Sequence, residues 1–103
     1  MPHRLYSARL IELHGGGSQT YNVPAGIRVV TRFVTGFNAN ALAGATFNLS
    51  ITPADVTFCQ IDLGPQEWQG HELRVCVDYP GHILCSADSG VDVTLYGYEL
   101  TLP

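Results

Sequence analysis

The chain contains no lysine, and its five basic residues, all arginine, face nine Asp and Glu for a formal charge of −4 at pH 7. A deficit of clustered cations argues against binding to nucleic acid, where phosphates must be neutralised. Charged residues are only 14% of the 103 residues, against 46% hydrophobic, a balance that excludes disorder and fits one globular domain spanning 1–103. No apolar run near Met1-Pro2-His3-Arg4-Leu5-Tyr6 is long enough for a signal peptide or a membrane span, so the expectation is synthesis in a cytoplasm and no membrane partner. Helix signals are nearly absent; only Asn38–Gly44 tolerates a helical turn. Chemical motifs are missing too. His14-Gly15-Gly16-Gly17 matches an esterase oxyanion segment, but without a Gly-x-Ser-x-Gly elbow it reads as a turn. His3, His14, His71 and His82 stand at none of the spacings that aim donors at one ion, and no glycine loop is followed by the lysine and helix that would cradle phosphate. The pairs Glu67/Glu72 and Asp88/Asp92 fall in or beside turns, where solvated carboxylates are ordinary. The expectation is therefore a non-enzyme, with no catalytic residue, metal or cofactor.

Cysteine is scarce and odd in number, at Cys59, Cys76 and Cys85. A two-residue hairpin loop at Pro80-Gly81 would set Cys76 opposite Cys85, at a closely approaching cross-strand position. L-proline at the first loop position suits tight hairpins poorly, so free thiols packed as apolar groups are the expectation.

What is present is β grammar. The turn Val23-Pro24-Ala25-Gly26 feeds the run Ile27-Arg28-Val29-Val30-Thr31-Arg32-Phe33-Val34, and Tyr79-Pro80-Gly81-His82 repeats the device before Ile83-Leu84-Cys85-Ser86. Period-two alternation predicts strands over Arg4–Leu13, Gln19–Val23, Ile27–Phe37, Ala45–Ile51, Val56–Leu63, His71–Asp78, Gly81–Ser86 and Val91–Leu100. About eight short strands at this spacing predict an all-β, antiparallel two-sheet β-sandwich of the jelly-roll kind, with a small closed barrel as the alternative.

Strict alternation in the third strand puts Ile27, Val29, Thr31 and Phe33 on the core and Arg28, Val30, Arg32 and Val34 on the other face. Tyr96, Tyr98 and Leu100 form a similar outward stripe on the last strand. Tyr and Arg are enriched where proteins meet, so Arg28, Val30, Arg32, Tyr96 and Tyr98 are the expected contact residues. Trp68, between Gly64-Pro65 and Gly70, is expected in a loop, as a lid on the core edge or as an exposed anchor.

The ordered set Leu5–Leu10, Gln19–Gly26, Arg28–Thr31, Glu67-Trp68-Gln69-Gly70, Tyr79–Leu84 and Val91–Leu100 resembles a family of small virion proteins of tailed bacteriophages. The resemblance covers most of the chain in short pieces. It implies a β-sandwich carried on the particle as a capsid decoration, head-fibre or minor tail component. It also implies no catalytic role, other virion proteins as partners, and assembly as a homo-oligomer, either a trimer or a ring. The three cysteines and the Asn38–Gly44 loop depart from the group. A carbohydrate-binding module recognising host surface glycan is the second reading, with Trp68, Tyr79 and Gln66 or Glu67 as its platform.

Overall fold

The computed structural model describes residues 8–52 and 56–102. The expected extension of the first strand to Arg4 and the turn Pro53-Ala54-Asp55 lie outside them. The strands are β1 (Ala8–Leu13), β2 (Gly17–Asn22), β3 (Ile27–Asn38), β4 (Ala45–Thr52), β5 (Val56–Leu63), β6 (Trp68–Glu72), β7 (Cys76–Asp78), β8 (His82–Ala87) and β9 (Val91–Thr101). No helix occurs among the described residues.

Two antiparallel sheets form the sandwich. One runs β1-β9-β3-β6, with β7 continuing beside β3 where β6 stops; the other runs β2-β8-β4-β5. With β6 and β7 counted as one interrupted strand, this alternation of sheets along the chain is the eight-stranded jelly roll. Alternating burial explains why these segments became strands. Val91, Val93 and Leu95 of β9 and Phe47 and Leu49 of β4 point inward at 1% exposure or less, with polar neighbours between them. Ile11, Val29, Val34, Leu63 and Ile83 complete the sealed centre.

The third strand departs from strict alternation. Thr31 pairs with Gly97 but Phe33 pairs with Tyr96, so Arg32 is an extra residue, a β-bulge. Every side chain after it changes face. Val34 becomes core at 0% exposure, and Phe33 turns outward beside Tyr96 and Glu72.

The two-residue hairpin that would have set Cys76 opposite Cys85 does not form, as the proline at its first position suggested. Gly81 N–H donates to the Asp78 carbonyl at 2.7 Å, closing a turn that contains a cis Tyr79–Pro80 peptide and carries the chain from one sheet to the other. Cys76 consequently pairs with Val30 while Cys85 pairs with Gln19 and Leu49, and all three thiols are free. Burial and the nearby Cys59 push the Cys85 thiol up to about 12. A thiol-reactive dye should therefore label Cys76 first, Cys59 slowly and Cys85 only in denaturant. Cys76→Ser should remove the fast phase; a fast phase that persists would contradict this packing.

At one end of the sandwich, buried Asn38 ties three segments together. Its Nδ2 donates to the carbonyls of Ala43 at 2.9 Å and Gly64 at 3.0 Å. Its Oδ1 accepts from the Asn40 backbone and side chain at 3.0 and 2.9 Å. Asn40 in turn donates to the Ser89 carbonyl at 3.0 Å. The small-residue segment that tolerated a helical turn is this latched loop. The Gly15–Gly17 turn closes the same end, with φ angles of 75°, 94° and 102° that favour glycine. It is held by Asp92 Oδ1, which accepts from Gly15 N–H at 2.8 Å.

Candidate interaction surface

The outward face of the β1-β9-β3-β6 sheet collects five of the chain's ten aromatic side chains. Along β3 it presents Phe33, Thr35 and Phe37; opposite them on β9 stand Tyr96, Thr94 and Asp92, and on β6 stand Glu72, Gly70 and Trp68. Trp68 lies on a strand and not in a loop. It pairs with Phe37 and is 60% exposed, so it is no lid on the core. Gly70 makes the close packing feasible: a Cβ there would sit 2.7 Å from the Phe33 ring and 3.0 Å from that of Trp68. Both rings therefore close over the same bare backbone.

The five other residues expected at contacts distribute as follows. Tyr96 and Tyr98 are half-buried on this face. Arg28 is held by Asp78 through Nε–Oδ1 at 2.8 Å and Nη2–Oδ2 at 3.0 Å, an interaction that keeps the Asp78 carboxyl below its ordinary range. Both partners are substantially exposed, so the pair fixes orientation more than it stabilises. Val30 points outward between Tyr98 and Cys76 but is only 6% exposed, which removes it as a free apolar contact. Arg32 rides out on its bulge with the guanidinium carbon 5.9 Å from the Tyr98 ring centroid.

Next to Arg32 the edge strand is itself broken. Leu73-Arg74-Val75 separates β6 from β7, and the gap is held by the fully buried Thr31. Its hydroxyl donates to the Leu73 carbonyl at 2.7 Å and accepts the Val75 N–H at 2.8 Å. Leu73 N–H donates to the Arg32 carbonyl, and Thr31 N–H to the Val75 carbonyl, both at 2.9 Å. Arg74 was not singled out by the sequence; it sits in what reads as an unbroken strand. The one available signal was Thr31, a hydroxyl at a core-facing position that has to be satisfied.

Tyr79 cannot share a sugar platform with Trp68. It follows β7, which pairs with β3 near Arg28, whereas Trp68 pairs with Phe37, about 30 Å along an extended strand. His71 and His82 lie in different sheets, and no metal-ligating group of three His, Cys, Asp or Glu occurs among the described residues. Three of the four carboxylates of the acidic pairs serve the backbone: Glu67 accepts from Gly64 N–H at 2.8 Å, Asp88 from Thr46 N–H at 2.9 Å, and Asp92 from Gly15 N–H, while Glu72 stands on the outer sheet face.

No family model and no curated protein matches the chain. Among solved structures, the coat protein of Tobacco streak virus is similar at a TM-score of 0.50 and 11% identity, covering 100% of this chain and 89% of that one. A family 35 carbohydrate-binding module from Clostridium thermocellum is similar at 0.47 and 12% identity, covering 85% and 72%. The module CBM36, solved with calcium and xylotriose, is similar at 0.45 and 15%, covering 94% and 92%. At these identities the likeness is one of fold.

Proposed function

We propose that the chain is a non-catalytic structural component of a tailed-phage virion, tail-associated or capsid-decorating, made in the host cytoplasm. In this reading it assembles through symmetric contacts of its aromatic sheet face with further copies and with other virion proteins. The observation that carries the reading is the set Phe33, Phe37, Trp68, Tyr96 and Tyr98 gathered on one sheet face, with Trp68 60% exposed. Aromatic side chains ordered by a sheet lose little entropy on association, and symmetry multiplies a modest contact. Light scattering over a range of concentrations tests it. A trimer or larger ring is expected, with Trp68→Ala weakening association about tenfold or more. A monomer at every concentration would remove self-assembly.

A second reading, glycan binding, is favoured by one feature. The Phe33 and Trp68 rings close over Gly70 to form an aromatic patch on the outer face of the sheet, with Trp68 60% exposed. Because the sequence has a single tryptophan, its emission reports this patch alone. A saturable blue shift with host surface glycan would favour this reading; an unchanged spectrum would discard it.

A further inference from the structure

Arginine pairing singles out one place on the molecule. Arg9 is held by Glu12 at 3.2 Å and Arg28 by Asp78 at 2.8 Å. Arg32 and Arg74 have no carboxylate partner among the described residues, in a chain of net charge −4. These two line one open cleft of about 430 Å³, together with Phe33, Glu72 and Leu73. Each is carried by an irregularity in neighbouring strands, Arg32 by the β3 bulge and Arg74 by the gap between β6 and β7. Bulges re-aim side chains, and here the buried Thr31 hydroxyl fixes the gap that does so. Backbone geometry therefore carries both arginines to the cleft, Arg32 with its guanidinium over Tyr98, and neither is tied up in an ion pair among the described residues.

We infer that the cleft made by this bulge and the neighbouring gap binds a carboxylate carried on an extended, partly apolar peptide segment of a partner protein. The inference rests on the assembly reading and states what a neighbour must present. Two guanidiniums call for an oxyanion. Glu72 on the same rim disfavours dense negative charge, such as a phosphate dianion, and leaves a single carboxylate as the better fit. Phe33 and Leu73 require apolar atoms next to that carboxylate. The cleft borders the β6–β7 edge of the sheet, where an extended segment can lie alongside.

The test is an NMR titration of the full chain with a blocked peptide of alternating valine and glutamate. A glutamine counterpart, a glucuronic acid oligosaccharide and sodium sulfate serve as the comparison probes. Saturable shifts at Arg32, Phe33, Leu73 and Arg74 are expected with the glutamate peptide. Binding should weaken about tenfold or more with the glutamine peptide, and equally in Arg32→Ala or Arg74→Ala. Both arginines are exposed, so the fold should persist, and Arg9→Ala should bind as the wild type does. Equal binding of the glutamine peptide would overturn the inference. So would a response to sulfate alone, or to the uronic oligosaccharide without the peptide, which would assign the cleft to a free anion or a sugar. Light scattering of the same samples separates the two ideas. Assembly without peptide binding sinks the cleft alone, and a monomer that binds the peptide sinks self-assembly alone.

Discussion

Gly97→Ala should destabilise the protein by about 3 kcal/mol or more, the upper end of what overpacking a core costs. Gly97 faces inward on β9 between Ala8 of β1 and Thr31 of β3. A methyl group there would collide with the Val30 backbone carbonyl oxygen and stand 2.6 Å from Leu10 Cδ1 and 3.1 Å from Thr31 Cα. A side chain in the way could rotate; a carbonyl in a paired strand cannot. The register shifts of the two strands that flank β9 also meet at this point, since β1 shifts between Arg9 and Ile11 and β3 between Thr31 and Phe33. Relief of the clash would have to distort β1, β9 and β3 together. Urea denaturation measures the effect. Gly64→Ala is the control, because a Cβ there would meet nothing nearer than Glu67 Oε1 at 3.7 Å, and it should lie within about 0.5 kcal/mol of wild type. A Gly97→Ala protein as stable as that control would refute the close approach of β9 to β3.

Thr31→Val should cost about 3 kcal/mol, although it preserves shape. The hydroxyl serves two backbone groups of the broken edge strand, the Leu73 carbonyl and the Val75 N–H. Valine leaves both without that partner beside a residue of 0% exposure, and each buried polar group left unmade costs about 1–3 kcal/mol. The loss should also be functional. With the gap unlatched, the backbone no longer places Arg74 in the cleft it shares with Arg32, and binding of the acidic peptide should fall about tenfold or more even where the protein remains folded. Thr31→Ser keeps the hydroxyl and should restore peptide binding while giving up some packing. A Thr31→Val protein of normal stability and normal binding would mean the hydroxyl does not hold the gap.

The strands and their number were legible because apolar residues alternate cleanly in most of them. Phe47, Leu49, Val91, Val93 and Leu95 all go where alternation puts them, and β5 spans Val56–Leu63 as expected. The failures share a cause. From Ile27 to Phe33 both alternating sets of β3 contain apolar residues, so a one-residue slip at Arg32 leaves a pattern as plausible as before it. The slip shows only in the pairing with β9, where Thr31 meets Gly97 and Phe33 meets Tyr96, and it exchanged Val34 for Phe33 on the outer face. Trp68 was read as a loop residue because Gly64-Pro65 and Gly70 are turn formers. Gly70 in fact makes room for two rings, a tertiary role without a local signature. Pro80-Gly81 signalled a turn but not its destination: a chain leaving one sheet for the other uses the same residues as one folding back.

The Asn38 latch has a consequence for how this module could vary or be re-engineered. Both ends of the 39–44 loop are tied at their bases, through Asn40 to Ser89 and through Ala43 to Asn38, while Leu42 stands 96% exposed at the tip. Added residues at the tip would extend a segment whose anchoring lies behind it, and lengthening such a loop costs only logarithmically in closure entropy. The rim of the sandwich is thus a mounting point for foreign sequence. It lies at the Phe37–Asn38 end of β3, beyond the Arg32 bulge, so an epitope or tag grafted there would ride on the module without passing through its sheets.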